Sequence, residues 1–168
     1  MLDLLRKQET GKKTKVIILT NLEPDDKILE NVLKDQPTYY FVKSNIQFDE
    51  LLEKIKESGC YQLTFSIESG NQEVLNKIIK KPLKLSRVKP LVKRAQELGI
   101  SVHSFGICGL PGEKIEQMQE TYDFMRDCGF DSASFFVATP LVGSELLKIC
   151  QENGYLREGV TWKERLFK

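Results

Sequence analysis

Histidine is nearly missing from this chain. Of its 168 residues one is histidine, His103, and one is tryptophan, Trp162. A zinc centre built on imidazoles, a Ser/His/Asp triad and a Cys/His pair all lose their usual partner, and a hydrogen-bonded interior histidine is the expectation for His103. The cysteines Cys60, Cys108, Cys128 and Cys150 stand at least 20 residues apart. No CxxC or CxxxCxxC run therefore offers a metal or redox centre, and buried free thiols in a reducing compartment are expected. An excess of either charge is lacking too. The 25 basic and 24 acidic residues leave a net +1, which gives no footing for electrostatic binding to nucleic acid or a membrane surface. No apolar run approaches a membrane span, and MLDLLRKQETGKK has no signal-peptide core, so a cytoplasmic protein is expected. Gly106, Gly109 and Gly112 are wrongly spaced for GxGxxG, and there is no P-loop, so dinucleotide binding has no support.

What is present is a repeated unit. Three times a helix-like stretch ends in glycine and feeds an apolar strand with a polar turn at its far end: KESGCYQLTFSIESG (Lys56–Gly70), QELGISVHSFGICGLPGE (Gln96–Glu113) and RDCGFDSASFFVATPLVGSE (Arg126–Glu145). Gly59, Gly99 and Gly129 fall where a helix C-terminus takes a left-handed residue. An αβ unit repeated in one direction yields parallel strands whose C-terminal ends share an edge, and ligands of such sheets bind at that edge. The spacing predicts strands near Val16–Leu19, Tyr40–Val42, Leu63–Ile67, Val102–Cys108 and Ser132–Val137, parallel in that order, with helices outside. The fold class is therefore α/β with a parallel sheet over residues 1–156, followed by a tail over 157–168; five strands are too few to close a barrel, so either the sheet is open or some strands are missing from this chain.

The helices follow from apolar spacing. One opens at Pro24 and buries Ile28, Leu29, Val32 and Leu33; Asp49 caps another with Leu51, Leu52 and Ile55 inward. Ser69-x-x-Gln72 matches a capping box with Asn71 as a competing cap, a role favoured for Asn71 over ligand contact, and Val74, Leu75, Ile78 and Ile79 face inward. Ile115, Met118, Tyr122 and Met125 mark the helix after the second strand end, while Phe65, Phe105, Phe135 and Phe136 are expected in the core. Lys15–Thr20 is the expected free edge, which predicts association of two copies through it.

The strand ends carry the candidate chemistry. Leu110-Pro111-Gly112 suits a type II turn, in which the third position needs positive φ. Gly109 allows close approach of a ligand, and the GICGLPGE backbone could present N–H and C=O groups to a flat heterocycle. Glu68, at a parallel strand's C-terminal end, must find a polar partner: a ribose diol, an ammonium group, or Lys43 on the neighbouring strand.

These three strand ends, in this order over about Phe41 to Leu156, resemble the radical S-adenosylmethionine (radical SAM) superfamily, and most closely the group associated with cobalamin-binding domains. IESG is followed by a helix with a basic patch (Val74–Leu83), then GLPGE, then ATPLVGSEL (Ala138–Leu146). The resemblance implies a partial (β/α)6 barrel of that type, truncated at its N-terminal strand, with this chain supplying the second to sixth strands. It implies S-adenosylmethionine as a small-molecule cofactor. Glu68 and Ser69 match positions near its ribose and methionine part, Ile107, Gly109 and Glu113 match the adenine-side loop, and Val137 and Pro140 match the last strand's contact. Lys80-Lys81 is placed to meet a carboxylate. A [4Fe–4S] cluster goes with the family, but its CxxxCxxC loop is missing from this sequence, and cobalamin would enter only through a further domain. The expectation is thus a fragment or truncated member of such an enzyme, with a non-catalytic α/β binding or scaffold domain as the alternative. A third reading, an unrelated barrel enzyme using Glu68 and Glu113 as acid and base, lacks histidine or cysteine partners.

Overall fold

A computed structural model describes residues 2–20, 37–43 and 46–156. The chain divides into two units, Met1–Leu63 with Pro90–Val102 and Thr64–Lys89 with His103–Lys168. Five strands are present among the described residues: β1 (Ile17–Thr20), β2 (Tyr39–Val42), β3 (Gln62–Glu68), β4 (Ser101–Cys108) and β5 (Ser132–Val137). They match the five expected from the sequence. Their hydrogen bonding forms two sheets, β1-β2 and β3-β4-β5, rather than one run of five. β1 and β2 are parallel, with Ile17 opposite Tyr39, and β4 and β5 are parallel, with His103 opposite Ser132.

In the first unit, α1 (Leu2–Arg6) and α2 (Glu9–Lys13) form a small helical pair. Gly11 lies within α2 and packs against α1 so closely that a Cβ there would lie 1.8 Å from the Leu5 carbonyl oxygen. Arg6 fastens the second helix at its end, donating to the Gly11 and Thr14 carbonyls at 2.6 and 2.8 Å. The next helix, α3 (Phe48–Glu57), buries Leu51 and Leu52. Asp49 lies in its first turn, where a carboxylate complements the helix dipole, and Gln47 occupies the cap position that the sequence assigned to Asp49. α4 (Val88–Glu97) has Pro90 in its first turn, where the missing N–H breaks no helical hydrogen bond, and buries Val92 and Ala95 completely. Arg94 of α4 reaches Glu53 of α3 at 2.7 Å. The expected helix carrying Ile28, Leu29, Val32 and Leu33, and most of the C-terminal tail, lie outside the described residues.

The second unit holds the ends of β3 and β4, together with β5, α5 (Ile115–Cys128) and α6 (Glu145–Glu152). After β3 the chain makes a π-helical turn, Val74–Ile79, that buries Val74 and Leu75 fully, each such side chain contributing about 1.5–3 kcal/mol. The turn ends on Lys80 in the left-handed conformation, and a 3₁₀ turn, Leu85–Arg87, leads into α4. The buried face of α5 is Thr121, Met125 and Cys128; Ile115 and Tyr122, expected inward, are 78% and 52% exposed. Phe135 and Phe136, also expected in the core, are substantially exposed because β5 is an outer strand of its sheet.

Candidate functional site

β3 delivers the first candidate. Glu68 ends the strand with φ +71°, a left-handed conformation that costs a non-glycine residue about 1–2 kcal/mol. Its carboxylate pairs with Lys81 at 3.3 Å, both side chains being largely covered, and Lys81 also donates to the Ser66 carbonyl. The anticipated pairing with Lys43 is replaced by this one, because the π-helical turn brings the Lys80-Lys81 stretch back past the end of β3. Lys80 itself pairs with Glu145 at 2.9 Å. Ser69 is fully buried. Its hydroxyl lies 3.1 Å from that of Thr121 and accepts the Asn71 N–H at 3.1 Å. Asn71 is the helix cap, accepting the Val74 N–H at 2.9 Å, whereas Gln72 turns aside to the backbone at Leu83 and Leu85.

The second strand end is a self-contained loop. The Glu113 N–H donates to the Leu110 carbonyl at 2.9 Å and Gly112 has φ +84°, so Leu110–Glu113 is the expected type II turn. One carboxylate oxygen of Glu113, Oε2, accepts the N–H groups of Gly109 (2.8 Å) and Leu110 (3.1 Å). Those donors, expected to face a ligand, are therefore committed to the protein's own carboxylate. The other oxygen, Oε1, is buried without a hydrogen-bond partner. An unpaired buried carboxylate oxygen is costly and marks a place where a donor is wanted. Gly106 serves packing: a Cβ there would meet the Phe135 ring at 2.8 Å and the Met125 methyl at 3.0 Å. Ile107 is half-buried, in register with Phe136. Burial, and then the neighbouring Glu113 charge, push the Cys108 thiol pKa up, which keeps it protonated and poorly nucleophilic.

At the third strand end Val137 is 77% exposed while Pro140 is buried. Gly109, Val137 and Pro140 line one cavity of about 300 Å³ with Pro111, Cys150 and Tyr155 among its other walls. That size suits part of a nucleoside-sized ligand. Three of the seven residues singled out from the sequence are thus brought together here. Glu68, Ser69, Ile107 and Glu113 stand outside its lining. The walls from α6 and beyond went unmarked in the sequence, where nothing in Cys150 or Tyr155 signals a cavity.

His103 is hydrogen-bonded as expected, its Nδ1 2.6 Å from the Ser132 hydroxyl, and it is half-buried with its ring edge-on to Phe105. All four cysteines are free; Cys128 and Cys150 are buried, Cys60 and Cys108 only partly so. They lie on separate elements, and among the described residues no three His, Cys, Asp or Glu side chains gather closely enough to hold a metal ion. An iron–sulfur cluster does not fit these cysteines.

The radical SAM superfamily profile matches residues 2–125. The chain belongs to the radical SAM superfamily. Among curated relatives, a cytidylyl-2-hydroxyethylphosphonate methyltransferase of Streptomyces wedmorensis is 53% identical over 114 residues, 64% of this chain and 21% of the relative. An uncharacterized methyltransferase of Pyrococcus horikoshii is 32% identical over 65% of this chain and 24% of its own length. A tRNA-2-methylthio-N(6)-dimethylallyladenosine synthase of Clostridium novyi is 32% identical over 60% of this chain and 23% of its own. The chain spans about a fifth to a quarter of the length of these relatives. Among solved structures, Escherichia coli coproporphyrinogen III oxidase, a radical SAM enzyme, superposes with a TM-score of 0.53 over 83% of this chain and 33% of its own, at 18% identity. The α/β fold with parallel strands is accordingly that of a partial radical SAM barrel, and no helix among the described residues is long and apolar enough to cross a membrane.

Proposed function

We propose that this chain is the part of a radical SAM methyltransferase that holds the adenosine portion of S-adenosylmethionine at the C-terminal ends of β3, β4 and β5. The observation that carries the reading is the cavity where Gly109, Val137 and Pro140, residues of two separate strand ends, meet. Glu113 supports this cavity from within the loop, its Oε2 holding the N–H groups of Gly109 and Leu110. When bound, S-adenosylmethionine supplies a sulfonium carried on an adenosine body. Glu68 is the residue to accept from the ribose, with Lys81 holding its carboxylate in place and presenting a cation to the carboxylate of the methionine part. Ser69 acts inside the protein and not on the ligand, because its hydroxyl is buried. Ile107 and Val137 offer apolar surface to the base.

Methyl transfer is the reaction named by two of the relatives, and a cytidylyl-linked phosphonate, the substrate named for the first of them, is the first acceptor to assay with the whole protein. The group associated with cobalamin-binding domains is the proposed branch, on the strength of the IESG, GLPGE and ATPLVGSEL strand ends; cobalamin would be held by a further domain. The test of the site is calorimetry with S-adenosylmethionine and 5′-deoxyadenosine. A carboxylate hydrogen bond to ribose is worth about 1.5–3 kcal/mol, so Glu68→Ala should weaken both ligands by about ten- to a hundredfold. Unchanged affinity in Glu68→Ala removes the proposed site.

A further inference from the structure

Glu68 is held in a conformation that its own chemistry disfavours, and nothing on β3 explains it. A carboxylate-bearing residue at φ +71° persists only where its surroundings over-determine the backbone. Ser69 and Gly70 supply that constraint. Gly70 lies so close to α5 that a Cβ on it would meet the Thr121 Cα at 2.8 Å and the Phe124 Cβ at 2.6 Å. Thr121, fully buried, donates its hydroxyl proton to the Gln117 carbonyl at 3.0 Å and takes the Gly70 N–H at 3.0 Å. A hydroxyl has one proton. With that proton given to Gln117, Thr121 must accept from Ser69, and the 3.1 Å contact between them acquires a direction. The chain then runs from the Asn71 N–H to the Ser69 hydroxyl, on to the Thr121 hydroxyl and out to the Gln117 carbonyl, with every proton placed. Thr121 thus accepts from two consecutive residues directly after Glu68.

We propose that Thr121 is a positioning residue for Glu68, fixing Ser69 and Gly70 against α5 so that the left-handed turn at Glu68 is enforced and its carboxylate is aimed at the cofactor end of β3. This rests on the reading of Glu68 as a ligand contact. Thr121 touches no ligand. Its effect passes entirely through two buried hydrogen bonds to the turn, and no feature of the sequence around it marks the role.

The experiment compares Thr121→Val, which keeps the shape and removes the acceptor, with Thr121→Ser, which keeps the acceptor, and with Glu68→Ala, which removes the carboxylate. Two quantities are read in the full chain: calorimetric affinity for 5′-deoxyadenosine, and the NMR signature of positive φ at residue 68, a strong intraresidue amide–Hα contact. Two buried donors left unpaired cost enough that Thr121→Val should weaken binding by about tenfold or more and erase the positive-φ signature, with Thr121→Ser restoring both. A Thr121→Val protein that keeps the signature overturns the proposal. If Thr121→Val erases it while Glu68→Ala binds like wild type, the positioning role stands and the ligand role of Glu68 falls. Should Thr121→Val fail to fold, Ser69→Ala breaks the same chain one bond earlier and is read in the same way.

Discussion

Gly70 has two roles open to it. In sequence it closes IESG at the proposed cofactor end of β3. In the fold it is a contact point, with no room for a methyl group between it and the backbone of α5. The atoms in the way, the Thr121 Cα and the Glu120 carbonyl oxygen, are main chain and cannot swing aside, so the helix itself would have to move. Gly70→Ala should cost about 2–3 kcal/mol, the upper part of the range for overpacking, measured by urea unfolding with the midpoint falling at constant slope. A cost below about 0.5 kcal/mol would show that α5 yields freely. Gly109 is a different case: its φ of +78° demands glycine while a Cβ would find ordinary contact, so the constraint there is conformational.

Among the elements, α6 is fastened at its start by polar contacts. Ser144 caps it, accepting the Leu147 N–H at 3.2 Å, and Glu145 pairs with Lys80 at the end of the π-helical turn. The hydrogen bond from the Lys80 ammonium, and then its charge, lower the Glu145 pKa. A carboxyl group with a depressed folded pKa stabilises the fold above its ordinary unfolded value. That contribution is lost as the pH falls from the ordinary carboxylate value of about 4.3 through the depressed one. Because both side chains are well exposed the effect is small and screened by salt. Amide protection factors in α6, measured against the intrinsic exchange rate at each pH, should therefore fall on acidification below about pH 4.3 at low salt, and Lys80→Gln should abolish that step. An identical acid profile in Lys80→Gln would show that the pair does not hold the helix. Glu57 is depressed for a similar reason, with Lys54 and Tyr39 donating to it, and ties α3 to β2.

At the scale of the sheets, β1 is an outer strand as expected, with β2 as its hydrogen-bonded neighbour among the described residues. β5 is an outer strand of the other sheet, and its sequence SASFFV holds no charged residue. Phe135, Phe136 and Val137 are 39%, 54% and 77% exposed. Edges of this kind are normally guarded by a lysine, a proline or a bulge, and this one is not. Sedimentation velocity should show concentration-dependent self-association that Phe136→Lys suppresses. A chain that stays monomeric at high concentration, with or without the substitution, would count against β5 as the adhesive edge.

Local chemistry made much of this legible in advance. The left-handed residues Gly59, Gly99 and Gly129, the type II turn at Pro111-Gly112, the cap at Asn71 and the five apolar strands all depend on a few neighbouring residues, so the sequence determined them by itself. The three ordered strand ends likewise sufficed for the family. Burial did not follow from spacing alone. The buried face of α5 centres on Thr121, a polar residue that becomes core only when Ser69 and Gly70, distant in the chain, bring it hydrogen bonds; Tyr122, the more apolar neighbour, is left outside. Phe135 and Phe136 reverse in the same way, because an aromatic strand is core or surface according to its neighbours in the fold. The pairing of Glu68 with Lys81 and the cavity that joins Gly109 to Pro140 were decided by the tertiary structure, since each depends on groups brought into range only by the path of the folded chain.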